Sequence, residues 1–391
     1  MIKMCAAFSL FLLYCSFVSA KLRFASIGDW GTGTKTQAKV AGKLKEIVQN
    51  ERVTFLVSPG SNFEYGVSGI SDDKWISQFE NIYNDDSGIM DIPMFTVLGS
   101  GDWQGDYNSQ INRSQQIYLN GQTITVNEEG KKTNGLPRLI MPNWWYHYFT
   151  HFATNASVSL LKSGHKDMSV GFIFIDTWIL SHAFPFKDVT DSAWNELKTT
   201  LEIAPKIVDY IIVVGDKPII SSGASKGDSN LAYHLLPLLK EAQVDAYIAG
   251  HDHDMEFIDY QDISLIVCGS GGAKGRKALL KSSYSKFFSD APGFCLHELD
   301  ADGFTTKFID GETGQVIFSH TRAPKERKQR QFGNEIQQIS KLPDVILHPV
   351  GFFGNVTHKD TFTRIVGTIG IIIALVHVVL ATSTTLGKSV N

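Results

Sequence analysis

Cysteine is scarce in this chain. There are four cysteines in 391 residues, and two of them, Cys5 and Cys15, lie in the opening apolar stretch. That count excludes a disulfide-scaffolded fold. A strong charge of either sign is also lacking. The formal net charge is −4, too mild to say anything about nucleic acid, and no nucleic-acid partner is expected. The one basic run singled out, Lys325 to Arg330, reads as a solvated connector.

The most telling absence is of charge between Ile365 and Leu386. A buried core helix should show a polar face, and this run shows none. It is long enough for a membrane span, which needs ~20 residues, and Arg364 and Lys388 bracket it. A transmembrane helix over 364–386 is therefore expected. Inside it Gly367, Gly370, Ala374 and Ala381 form a small-residue stripe, with Gly370 and Ala374 at small-xxx-small spacing. His377 lies one turn beyond Ala374, where a polar group is a functional candidate. The competing reading is that glycine is common in such helices and His377 incidental.

Residues 1–20 read as a secretory signal: Lys3 as basic start, Ala6 to Val18 as apolar stretch, Val18-Ser19-Ala20 as cleavage site. A membrane anchor is the alternative, but the run is short for a span. The body is then lumenal, and only 387–391 emerges in the cytosol. Cys268 and Cys295 remain, each in a β-like run. Adjacent antiparallel strands would bring them together, and a lumen would oxidise them; two buried thiols are the alternative. Asn112, Asn155 and Asn355 begin glycosylation sequons, which require only lumenal exposure.

One large unit, 21–323, lies between the ends. β-rich runs recur at Leu22–Ile27, Val53–Val57, Pro93–Leu98, Val170–Asp176, Tyr210–Gly215, Asp245–Gly250 and Ile263–Cys268. Helical stripes fall between several of them, as in Thr36–Gln49 and Leu231–Ala242. Such alternation predicts an α/β fold with a buried sheet. After Gly293, short runs and turns predict antiparallel hairpins. Trp103 to Thr150 reads as an insertion whose aromatic end (Trp144 to Tyr148) packs over a sheet edge. Residues 324–363 read as a juxtamembrane stalk.

Four strand-then-turn segments carry the chemistry. Gly28-Asp29-Trp30-Gly31 offers a carboxylate and Gly250-His251-Asp252-His253 two imidazoles. Between them, Gly60-Ser61-Asn62-Phe63-Glu64 and Gly99-Ser100-Gly101-Asp102 offer little. Asp216 follows a further strand. Turns after the strands of an open α/β sheet converge on one crevice, so Asp29, Asp216, His251 and His253 are expected as neighbours.

This spacing resembles the purple acid phosphatase branch of the calcineurin-like metallophosphoesterases. The resemblance runs through most of Leu22 to Ala323, including Ile175-Asp176-Thr177 and Gly269-Ser270-Gly271-Gly272. It implies a four-layer sandwich, two central mixed β-sheets flanked by helices, with a dimetal site at the edge. It also implies that Asp29 and His253 keep two ferric-site ligands and His251 one divalent-site ligand. Ser61 then stands for the bridging aspartate and Glu64 for the tyrosinate, with Tyr65 one residue off register. Ser100 stands for the asparagine ligand, Gly101 for the histidine that assists the leaving group, and Asp216 for a further histidine ligand.

Two cations ~3.5–4 Å apart repel strongly, and a bridging carboxylate offsets that repulsion. A serine hydroxyl does not. An intact Fe(III)–M(II) centre is therefore not expected. Asp29, Glu64, Asp216, His251 and His253 would hold one divalent ion weakly. A dead or feeble phosphatase is the expectation, with a working metal-dependent acid phosphatase as the alternative. Within the family, Phe55 to Phe63, Phe174 to Trp178 and Val366 to Gly370 resemble the glideosome-associated membrane anchors of apicomplexan parasites. That resemblance implies an inner membrane complex location. It also implies partners: a myosin motor, its light chain and acylated glideosome proteins, fixed for gliding and invasion.

Overall fold

Alternating apolar strands and amphipathic helices build two sheets face to face in the computed structural model, which describes residues 21–83, 90, 92–120, 138–152, 168–182, 187–327 and 345–347. In chain order the strands are β1 (Leu22–Ser26), β2 (Phe55–Ser58), β3 (Met94–Thr96), β4 (Leu139–Ile140), β5 (Tyr146–Phe152), β6 (Met168–Phe174), β7 (Tyr210–Val214) and β8 (Ala246–Ala249). There follow β9 (Met255–Tyr260), β10 (Ile263–Cys268), β11 (Ser285–Ser289), β12 (Gly293–Asp300), β13 (Gly303–Asp310), β14 (Val316–Arg322) and β15 (Val345–Leu347). The first sheet has the order β14-β13-β12-β1-β2-β3-β4 and the second β11-β9-β10-β8-β7-β6-β5-β15. Both are mixed: β1 to β4 run parallel, as do β6, β7, β8 and β10, with antiparallel strands completing each sheet.

The layers follow from which faces are apolar. Phe24, Phe55, Phe172, Phe174, Ile212 and Ile248 interlock between the sheets. On the outer face of the first sheet, helix Lys35–Glu51 buries Val40, Leu44 and Val48. Thr34 caps that helix by accepting from Gln37 N, which satisfies one of its free amides. Helices Lys187–Ile207 and Ser229–Glu241 cover the second sheet with Leu197, Leu201, Leu231 and Leu235. The result is helix, sheet, sheet, helix. Each of the seven β-rich sequence runs overlaps a strand, and the hairpins after Gly293 are β12 to β14.

Three readings need revision. The stretch from Trp103 to Thr150 is not an appendage, because β4 extends the first sheet and β5 the second. Its aromatic end enters the core, where Tyr146 stacks on Phe174 at 4.5 Å. The connector reading of Lys325 to Arg330 fails at Arg327, which pairs with Asp245 at 2.7 Å with side chains only 6% and 2% exposed. Finally, Cys268 and Cys295 are disulfide-bonded, yet they lie in different sheets, on β10 and β12. The bond crosses the sandwich rather than joining neighbouring strands.

No helix among the described residues is long and apolar enough to cross a membrane. The signal segment, Ile365 to Leu386 with Gly367, Gly370, Ala374 and His377, and the sequons at Asn155 and Asn355 lie outside the described residues. Asn112 is exposed on helix Ser109–Asn120.

Candidate functional site

The turns after β1, β2 and β3 of the first sheet meet those after β7, β8 and β10 of the second. Such close meeting demands bare backbone at Gly99, where a Cβ would fall 2.1 Å from Ser61 N and 2.3 Å from Asp216 Oδ1. An open cavity of ≈ 200 Å³ results, lined among others by Asp29, Ser61, Ser100, His251, His253 and Arg276.

Asp29, Ser61, His251 and His253 all sit in the left-handed region, with φ of 53°, 48°, 71° and 55°. L-residues pay for that conformation, and it concentrates where surrounding structure imposes it. The turns carrying the expected ligand positions thus share one strained backbone conformation, Ser61 included.

The side chains satisfy one another. Ser61 Oγ donates to Asp216 Oδ1 at 3.0 Å, and Ser100 N donates to Asp216 Oδ2 at 3.0 Å. Ser100 Oγ lies 3.1 Å from His251 Nδ1, which is itself 3.4 Å from Asp216 Oδ2. Asp29 Oδ2 accepts from His251 N at 2.7 Å, and Asp29 Oδ1 is 3.6 Å from His253 Nε2. Beneath them Asp102 accepts from Gly99 N, Asn62 N and Phe63 N, all within 3.0 Å, tying the β2 and β3 turns together.

Electrostatics separates the two imidazoles. Burial opposes charge on His251, but the hydrogen bond and charge of Asp216, with Asp29 behind it, raise it to about 9. Burial and then the cation of Arg276 push His253 down to about 4. Burial, then repulsion from Asp216, holds the Asp29 carboxyl well above the usual range. Charge is thus favoured on His251 and disfavoured on His253.

A dinuclear centre does not fit these residues. The position expected to bridge is a hydroxyl engaged to Asp216, and Glu64 is exposed at the rim. Among the described residues no three histidine, cysteine or acidic side chains are arranged to hold a metal ion. The structure thus brings together Asp29, Ser61, Ser100, Gly101, Asp216, His251 and His253, with Glu64 exposed on the lining of the same cavity. Sequence reasoning gave no role to Asp102 or Arg276. Asp102 ended a quoted turn, and an Asp that closes a glycine-rich turn is a common acceptor for backbone N–H groups. Arg276 follows the Gly269–Gly272 turn with no local pattern to mark it.

Residues 22–255 match the calcineurin-like phosphoesterase family. The chain belongs to that family. This calcineurin-like phosphoesterase is 49% identical over 386 residues to glideosome-associated protein 50 of Plasmodium falciparum (isolate 3D7), spanning 98% of this chain and 97% of that one. It is 28% identical over 335 residues to purple acid phosphatase 3 of Arabidopsis thaliana, 81% of each chain. It is 25% identical over 328 residues to human tartrate-resistant acid phosphatase type 5, 78% of this chain and 92% of the other. A solved structure described as GAP50, the anchor in the inner membrane complex of Plasmodium, superposes with a TM-score of 0.74 at 48% identity, covering 86% of this chain and 100% of its own.

Proposed function

We propose that this chain is a membrane-tethered anchor whose calcineurin-like body has kept the phosphatase frame and given up the reaction. The observation that carries the loss of reaction is the Ser61–Asp216–Ser100 hydrogen-bond set, which occupies the carboxylate a metal would need. Gly101 adds to it, because the backbone offers no proton donor for a leaving group. Near end-to-end similarity to glideosome-associated protein 50 supports the anchor reading. On this reading residues 1–20 are removed, 21–323 are lumenal, 364–386 span the inner membrane complex membrane, and 387–391 face the cytosol.

A myosin motor, its light chain and acylated glideosome proteins are the partners on this reading, held through the span itself or through lipid. Gly370 and Ala374 are the candidate docking step. The single weak site expected at Asp29, Glu64, Asp216, His251 and His253 would need these side chains to rearrange and the Ser61–Asp216 bond to open. The reading is tested by recovering the motor complex on the tagged full-length chain and on Gly370→Leu/Ala374→Leu. Loss on substitution supports anchoring through the helix, and failure of even the unaltered chain to recover a motor complex contradicts it.

A further inference from the structure

Between β10 and β11 lies the segment Lys274-Gly275-Arg276-Lys277-Ala278-Leu279-Leu280-Lys281-Ser282-Ser283-Tyr284. With Lys286 just beyond, it carries four lysines, one arginine and no acidic residue. Its middle is turned outward: Leu279 and Leu280 are 62% and 72% exposed. The backbone is nevertheless fixed. Leu279 N donates to Ser222 O at 2.9 Å, Ser282 N to Ser222 Oγ at 2.9 Å and Arg276 N to His253 O at 3.2 Å. Tyr284 packs edge-on against Tyr260 at 4.7 Å. Among the described residues the four lysines form no ion pair.

Two adjacent leucines held in water by a pinned loop are unfavourable on their own, and such exposed apolar patches mark contact surfaces. The cations around them choose the occupant. A protein groove would need a matching apolar cleft and acidic groups at set positions. A bilayer with anionic headgroups needs only an apolar tip ringed by flexible ammonium groups, with hydroxyls at headgroup depth. Ser282 and Ser283 supply those hydroxyls. We propose that Lys274 to Lys286 is a docking loop for an anionic lipid surface, with Leu279 and Leu280 entering the headgroup layer.

Placement gives the loop a use. The last described residues form β15, whose end at Leu347 lies level with the start of β7. The loop follows the end of β10, which runs parallel to β8, so the two lie at opposite ends of the second sheet. If the C-terminal helix reading of the preceding section holds, the body is tethered to one bilayer and offers this loop to another.

The test uses the full-length chain in neutral-lipid nanodiscs, sedimented with vesicles of phosphatidylcholine alone or mixed with phosphatidylserine. Insertion into the nanodisc reports the helix, and vesicle capture reports the loop, so the two failures are distinguishable. Capture is expected only with phosphatidylserine. Lys277→Glu/Lys281→Glu should weaken it by at least ~25-fold, taking roughly fivefold per lysine removed, and Leu279→Ser/Leu280→Ser should weaken it further than a neutral surface change. Should a variant fold poorly, quenching of Leu280→Trp fluorescence by brominated lipid gives an independent readout. Equal capture by both vesicles, or capture unchanged in both variants, overturns the proposal. So does leucine-dependent pairing of nanodiscs without vesicles, which would assign the loop to a second copy.

Discussion

Arg327 donates to the Asp245 carboxylate at 2.7 Å shortly after β14, and the same guanidinium bonds Gln243 O and Asp209 O. It closes over the starts of β7 and β8, with Lys325 donating to Val244 O beside it. Arg322 makes an earlier tie, to Asp259 and Ser264 of the second sheet. These bonds tie the end of β14, an edge strand of the first sheet, to the second sheet.

Removing one partner of a buried pair strands the other charge. Arg327→Ala should cost about 3–5 kcal/mol, and Asp245→Asn/Arg327→Met appreciably less. Denaturant unfolding of the purified full-length chain measures both. A loss under about 1 kcal/mol for Arg327→Ala would place the pair in solvent.

The cross-sheet disulfide makes a second prediction. Cys268 and Cys295 close a loop with a sequence separation of 27, which on loop entropy is worth about 3–4 kcal/mol. Cys268→Ala/Cys295→Ala should lower the unfolding midpoint, and reductant should lower the parent's midpoint but not the variant's.

Acid sensitivity should come in part from His297. It is buried, hydrogen-bonded to Ser26 Oγ at 2.8 Å and Thr306 Oγ1 at 3.1 Å, and burial pushes it down from 6.5 to about 3. Its folded value is depressed, so the unfolded chain takes up a proton first as pH falls. Stability present above about pH 6.5 is therefore lost towards pH 3, by up to about 1.4 kcal/mol per pH unit. His147, pushed down to about 4 by burial, acts in the same direction. His297→Asn should flatten the slope of stability against pH between those limits. An unchanged slope would mean that His297 titrates normally.

Strain should outlive chemistry at Ser61. Ser61→Gly relieves a left-handed serine (φ 48°) but removes its bond to Asp216. The two effects are each about 1 kcal/mol, so stability should change by less than about 1 kcal/mol. Serine at an unstrained turn would instead show the full loss of its hydrogen bond.

Much of the architecture was legible because its signals are local. Apolar runs such as Tyr210–Val214 and the Thr36–Gln49 stripe need no partner to be recognised. The glycine turns likewise placed Asp29, Asp216, His251 and His253 together. What stayed hidden depends on distant partners. Lys325 to Arg330 looked solvated because nothing nearby in sequence reveals Asp245. β4 and β5 were missed because their pairing is with β3 and β6 and not with each other. The role of serine at 61 and 100 as occupants of Asp216, rather than simple losses, required the geometry.

The most direct measurement is steady-state hydrolysis of an aryl phosphate by the full-length chain, with added zinc, manganese or iron, from acidic to neutral pH. Turnover indistinguishable from His251→Ala/His253→Ala is expected. Restoring the donors with Ser61→Asp, Glu64→Tyr, Ser100→Asn, Gly101→His and Asp216→His should bring metal binding back. A side chain at Gly101 requires Phe63 O, 3.2 Å from its Cβ, to give by a few tenths of an ångström. Robust turnover by the unaltered chain, lost in the double histidine variant, would contradict a body that keeps the frame without the reaction.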